Sequence, residues 1–529
     1  VLVGAASVLV GATVAILAPA SVTASQRTAA FPPGFLWGTA LAGFQAEAGD
    51  GRNLDPNSDW FAWTHDRDNI DAGIVSGELP EDGPGHWRRF RTDLDLAAGD
   101  LHNNAFRFSI EWPRIFPRST KGIEVGRRIG RRDLERLDRR ADGRAVRHYR
   151  NVLRAAARRG LTPFVTLHHW TLPTWLHDPL ATKSALRGRD PNAPLPKLAA
   201  GGWLERTTVR EFRKYAAYLA YKLGRRADFW SPVNEPMVLV ANGYVNVPGL
   251  TEAYWPPGAF SFTGASQVLR NLERANTVAY NQLKRRDRSD ADEDGRASRV
   301  GPVMNMIAFT PADPGSALDR SGTEHADYLF NRLLLDAMVT GDIDRNADGA
   351  IGPEESAIHG RKADFVGLNY YFRGRVTGLS TPLTPQIPVL DFLPATSYQA
   401  PTNPSGPPCP TTCSEHGAEI YPEGFREVLG AAGSYGLPVY VTETGIADED
   451  DDQRPRYLRS HLRQLRRAIR RDGVDARGLF HWSLTDNLEW VYGYEPKFGL
   501  YSVDPRTLAR TPRPSARLYG RIARRNALP

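Results

Sequence analysis

At 529 residues, with 41% hydrophobic, 10% aromatic and 24% charged side chains, the chain has enough apolar mass for a large core, which excludes a disordered or fibrous protein. An allowance of about 100–200 residues per domain suggests several units, although barrels with long loops exceed that as one domain. The formal net charge of +7 comes mostly from arginines spread over helix-like stretches such as 127–150 and 463–471. No tract interleaves basic and aromatic residues, so solvated helix faces are favoured over a nucleic-acid partner.

The first 26 residues carry no charge, residues 1–18 are an apolar run, and Val22-Thr23-Ala24 fits the small-residue rule for signal-peptidase cleavage. Residues 1–30 therefore read as a secretory signal, with 31–529 as the working domain of an exported protein. Left uncleaved, the same segment would anchor the protein to a membrane. Cys409 and Cys413 are the two cysteines; in an exported protein they can close a small disulfide loop, the alternative being two free thiols.

Beyond residue 30, short apolar runs alternate with amphipathic stretches, the pattern of βαβ units in a parallel sheet. Strands are expected at 35–38, 105–110, 163–167, 229–233, 300–308, 365–368, 439–442 and 478–481. Helices are expected at 87–98, 145–159, 209–223, 267–284, 325–339, 424–434, 457–471 and 515–524. Polar or aromatic clusters follow most strands: Glu111-Trp112, His168-His169-Trp170, Asn234-Glu235, Asn369-Tyr370-Tyr371, Glu443 and Trp482. In a (β/α)8 barrel all strand C-termini converge on one face, where active sites form. The expected fold class is therefore α/β, a single (β/α)8 TIM barrel, with a doubly wound sheet second because it would converge fewer of these clusters. Long irregular insertions at 49–85 and 379–421 should rim the pocket.

Two glutamates close strands, in Trp230-Ser231-Pro232-Val233-Asn234-Glu235-Pro236 and Val439-Tyr440-Val441-Thr442-Glu443-Thr444-Gly445. A lone glutamate there is ordinarily a salt-bridge or helix-start residue. A pair among Asn, His, Trp and Tyr on one face is what glycoside cleavage requires, one acid to protonate the leaving oxygen and one carboxylate to attack the anomeric carbon.

The ordered blocks Phe35-Leu36-Trp37-Gly38-Thr39-Ala40, 106–115 (FRFSIEWPRI), His169-Trp170, Asn234-Glu235-Pro236, Gly367-Leu368-Asn369-Tyr370-Tyr371, Thr442-Glu443 and 481–490 (HWSLTDNLEW) resemble the motifs of family 1 glycoside hydrolases. The match runs from Phe31 onward, and Ala42-Gly43-Phe44-Gln45, 55–60, 75–87 and 174–179 are most similar to β-glycosidases first known from thermophilic archaea. That resemblance implies Glu443 as nucleophile, Glu235 as acid/base, and retention of anomeric configuration, with the carboxyl groups about 5–5.5 Å apart. It also implies that Arg107 favours ionised Glu443 by charge and that Tyr371 donates to it. Gln45, His169, Asn234, Asn369, Glu489 and Trp490 would hold the nonreducing-end sugar, with Trp482 as its floor. A carboxylate at Glu489 would repel a phosphorylated sugar, so plain glycosides are expected. Thr444 and Thr171 depart from the family pattern, leaving the nucleophile's surroundings and the aglycone fit open.

The implied activity is an exo-acting β-glucosidase, extending to β-galactosides or β-fucosides, with water as cosubstrate and no cofactor for catalysis. The alternatives are a transglycosidase on the same scaffold and a catalytically idle sugar-binding barrel. Separately, Asp344, Asn346, Asp348, Gly349 and Glu355 occupy positions 1, 3, 5, 6 and 12 of an EF-hand-type calcium loop, suggesting structural calcium, the alternative being a solvated acidic turn. Asp290, Asp292, Asp294 and Gly295 begin a similar pattern, but its twelfth position is Gly301.

Overall fold

The computed structural model describes residues 30–245 and 255–529, so the expected signal at 1–30 falls outside the described residues but for its final position. Eight strands form one parallel sheet: β1 (Leu36–Leu41), β2 (Ala105–Ser109), β3 (Thr162–His168), β4 (Phe229–Val233), β5 (Arg299–Val300 continued by Val303–Asn305), β6 (Val366–Tyr370), β7 (Val439–Thr444) and β8 (Ala476–Trp482). Each pairs with its sequence neighbour, and β1 pairs with β8. The two halves of β5 close the cylinder, Arg299–Val300 against β4 and Val303–Asn305 against β6. The expected (β/α)8 barrel is thus present.

Around it lie α1 (His86–Asp95), α2 (Gly143–Ala157), α3 (Arg206–Leu223), α4 (Phe262–Arg286), α5 (Leu333–Val339), α6 (Pro422–Gly433), α7 (Arg454–Arg471) and α8 (Pro514–Arg525). Local chemistry sets their starts. Asp142 caps α2 through the amide of Arg144 (2.7 Å), and Ser261 caps α4 through that of Gly264 (3.0 Å), each satisfying an orphan amide. The arginine-rich α7 turns Tyr457, Leu458, Leu462, Leu465 and Ala468 inward and leaves Arg463, Arg467, Arg470 and Arg471 in solvent. Its positive charge is a solvated face, as expected.

The fifth strand differs from the expected continuous run over 300–308. Pro302 has no amide for the ladder and Gly301 packs tightly on Phe365, so the regular strand is interrupted between the two halves, although the Gly301 amide donates to the Trp230 carbonyl (3.1 Å) and the Pro302 carbonyl accepts from the Gly367 amide (2.8 Å). The chain then leaves the barrel, and Ala308–Pro311 joins Arg373–Gly378 and Phe392–Ala395 in a separate three-stranded sheet. The helix expected at 325–339 begins earlier, at Ala317–Asp327, and passes through wider turns at Tyr328–Arg332 before α5. Among the described residues, no helix is long and apolar enough to cross a membrane.

Below the site, the barrel interior is an aromatic layer. Phe164 lies 5.4 Å from Phe229, 5.2 Å from Phe365 and 5.4 Å from Phe480, ring centre to ring centre, with Tyr440 completing the set. Gly38 is required opposite it, because a Cβ there would sit 2.3 Å from the Phe480 ring. This filled layer closes the cylinder beneath the cleft, so the cleft opens at the C-terminal ends of the strands. Phe164→Ala should destabilise the fold by on the order of 3–5 kcal/mol, read as a lower thermal midpoint with unchanged turnover per folded molecule. A midpoint within a degree of wild type would contradict the packing account.

Candidate active site

Because every barrel strand is parallel, the residues that follow them share one rim. There they line a cleft of about 1380 Å³. Gln45, His169, Glu235, Tyr371, Glu443, Trp482, Glu489 and Trp490 are all on its wall. Both insertions contribute as expected, with Ile74 and Glu78 from the first and Leu390, Pro394 and His416 from the second. The second is stapled by a Cys409–Cys413 disulfide.

The two strand-end glutamates are both buried, at 4% exposure for Glu235 and 3% for Glu443, yet their partners differ. Glu443 Oε1 accepts from the Arg107 guanidinium and Oε2 from the Tyr371 hydroxyl (2.7 Å). Among the described residues, Glu235 Oε1 accepts one hydrogen bond, from the side-chain amide of Asn369 (2.6 Å). Burial, and then the charge of Glu443, push the Glu235 pKa well above the ordinary glutamate value. Burial and the same pair of carboxyls raise that of Tyr371, keeping it a donor.

A chain of hydrogen bonds joins the two groups. Arg107 donates to Asn234 Oδ1 (2.6 Å), which also accepts from Asn369 Nδ2 (3.2 Å), while Thr442 donates to Asn369 Oδ1 (2.7 Å). Asn234 and Asn369 were expected to touch sugar; they are fully buried and do not line the cleft. Their amides are committed to Arg107, Glu235 and Thr442, with Asn234 also bonded to His169 Nε2 (3.3 Å). In this structure they position the acidic pair from behind the wall.

Backbone geometry aims Glu235. It sits in the left-handed region (φ 46°), a conformation costing about 1–3 kcal/mol, where its amide donates to the Val303 carbonyl (2.8 Å). Pro236 then starts a helix. Trp170 (φ 78°) and Trp490 (φ 52°) share that conformation, so three wall residues are held where ordinary side chains rarely stay.

The remaining wall combines hydroxyl-binding groups with flat aromatic faces. Gln45 Nε2 donates to the Leu488 carbonyl (2.8 Å) and toward Glu489 (3.3 Å), and its buried Oε1 has no partner among the described residues. The Glu489 pKa is pushed up to about 8 by burial and the charge of Glu443, so near neutrality its acid form is abundant. Burial and then Arg107 drive the His169 pKa well below its usual value, keeping the ring neutral. The rings of Trp482 and Trp490 stack near-parallel to His169, each 6.0 Å away. Two departures from the motif turn away from the chemistry: Thr444 bonds the Tyr457 hydroxyl (2.8 Å) and Thr171 bonds Glu111. Trp255, unremarked in sequence, lines the cleft against Trp170 at 4.0 Å.

At the rim, Asp344 accepts from the amides of Asp348 (3.3 Å) and Gly349 (2.9 Å), and Gly349 makes the sharp turn at φ 83°. Glu355 closes the loop onto the amides of Arg345 and Gly352, and Asn346 donates to Asp348 (2.7 Å). Asp344 and Asn346 face the same cleft.

Known proteins share this architecture. A model described as Glycosyl hydrolase family 1 matches residues 27–182 and 192–528. A β-galactosidase from Pyrococcus woesei is 38% identical over 91% of this chain and 94% of its own. One from Saccharolobus solfataricus is 36% identical over 94% and 96%. The crystal structure of a β-glycosidase from Thermosphaera aggregans superposes with a TM-score of 0.81 at 34% identity, covering 94% of this chain and 98% of that one. A Thermotoga maritima β-glucosidase in complex with castanospermine gives 0.71 at 27%, covering 94% and 99%.

Since the charge of Glu443 is the second cause of the raised Glu235 pKa, Glu443→Gln should lower it. Titration of ¹³C-labelled glutamate by NMR reads this directly. An unchanged or higher Glu235 pKa in the variant would contradict the coupling.

Proposed function

The chain belongs to glycosyl hydrolase family 1, and from that premise we propose a retaining, exo-acting β-glycosidase that hydrolyses β-glucosides, and also β-galactosides or β-fucosides, by double displacement. The observation that carries this is the unequal treatment of two carboxyls in one cleft, Glu443 bound by a guanidinium and a phenol, Glu235 desolvated beside one amide.

The Glu443 carboxylate attacks the anomeric carbon while Glu235 passes its proton to the glycosidic oxygen, and the aglycone leaves as an alcohol. Glu443 is then a neutral ester, so its charge no longer holds a proton on Glu235. Glu235 can now take a proton from water, whose oxygen attacks the anomeric carbon and releases Glu443. Gln45, His169 and Glu489 suit the sugar hydroxyls and Trp482 and Trp490 its apolar face. Glu489, neutral or charged, offers nothing to balance a phosphate, which favours plain glycosides. Asn234 and Asn369 enter by holding Arg107 and Glu235 in register.

The disulfide fits an oxidising compartment, in keeping with export directed by residues 1–30. The 344–355 loop suits calcium by donor type, spacing and its Gly349 turn; Asp344, Asn346, Asp348 and Glu355 would hold the ion, which would brace the cleft rim.

On a panel of aryl β-glycosides, Glu443→Gln should lower kcat at least ~1,000-fold. Proton NMR of the wild-type reaction should show the β-anomer first, and added alcohol separates hydrolysis from transfer. An α-anomer formed first, or a variant within tenfold of wild type, would contradict the proposal.

A further inference from the structure

At the opposite end of β4 from Glu235, the chain carries a second acidic construction that the catalytic cleft does not use. The loop between α4 and β5 contains Asp290, Asp292 and Asp294, followed by Gly295 at φ 87°. Asp290 accepts from the amides of Asp294 (3.1 Å) and Gly295 (2.7 Å), the same closure that Asp344 makes in its own loop. The pattern lacks an acid at its twelfth position. A residue far away in sequence stands in for it.

Asp228, immediately before β4, is 1% exposed. Its Oδ2 accepts from the amides of Ala291 and Asp292 (2.8 Å each), pinning the loop to the barrel. Among the described residues its buried Oδ1 receives no hydrogen bond from a donor, and the Asp292 carboxyl belongs to the same cluster. Carboxylate oxygens of Asp228, Asp290 and Asp292 all lie within 4.8 Å of one another. That span fits one coordination shell, since two oxygens on opposite sides of a calcium ion are about 4.6–5.2 Å apart.

The local cation leaves this charge unbalanced. Arg299 lies over the Phe229 ring, directs one amino group at Asp294 and brings the other only to 3.6 Å from Asp292. Lys284 is taken by Asp364 (2.9 Å). Asp228 and Asp290 have no cationic partner among the described residues. Asp290 and Asp292 are solvent-exposed, which gives an ion an entry path and water for its remaining positions.

We propose that Asp228, Asp290 and Asp292 form a binding site for a divalent cation of the calcium type, tying the α4–β5 loop to the base of the barrel. An all-oxygen donor set with no sulfur or imidazole selects a hard cation over zinc or copper. Binding would supply the positive charge that the buried Asp228 oxygen lacks, so its effect falls on stability rather than on turnover.

The test uses the full chain stripped with a chelator and titrated with calcium chloride by calorimetry, comparing wild type, Asp290→Asn/Asp292→Asn and Glu355→Gln. The double variant should bind one calcium fewer than wild type, while Glu355→Gln keeps the site whether or not the rim loop binds an ion. At about 100-fold excess over the dissociation constant, calcium should raise the thermal midpoint of wild type and Glu355→Gln by ~3 °C. The double variant should lose this increment and keep wild-type hydrolysis of an aryl glucoside at 25 °C. Equal stoichiometry in wild type and the double variant, or no calcium bound by Glu355→Gln, would overturn the assignment.

Discussion

Burying two carboxyl groups beside one another makes the second negative charge expensive, because neither water nor distance screens it. The architecture resolves the conflict by giving the pair different company. Arg107 and Tyr371 serve one oxygen each of Glu443, while Glu235 receives, among the described residues, a single amide hydrogen. Asn234 and Asn369 then bridge Arg107 to Glu235, so the cationic and neutral sides of the site are parts of one network. Moving any member would disturb the other carboxyl as well.

Such a network needs side chains from β2, β4, β6 and β7 at one depth, and a closed parallel sheet provides that. The aromatic layer beneath supports it, and the left-handed turn at Glu235 converts a strand end into a residue aimed across the cleft. Stability is spent here for placement, a cost of about 1–3 kcal/mol, offset by the packed helices and the core.

Much of this was legible in the residues. Strand spacing and the clusters after strands predicted the barrel, and the motifs around Glu235 and Glu443 predicted which carboxyls meet. The depth of each residue behind the wall was not legible. Asn234 and Asn369 are the right type for sugar contact, but they are turned toward Arg107 and Glu235. Pro302 interrupts the fifth strand because one missing amide outweighs an otherwise apolar run. Trp255 meets Trp170 only through the fold. Asp228 likewise joins the 290–295 loop through tertiary contact, which no local pattern announces.

The central claim is that Glu443 forms the covalent bond to sugar while Glu235 manages the proton. A 2-deoxy-2-fluoro aryl β-glucoside, which slows release of the intermediate more than its formation, tests this directly by peptide mass mapping. The account predicts one fluoroglucosyl group on the peptide carrying Glu443. Label on another residue, or turnover with no trapped species, would contradict it.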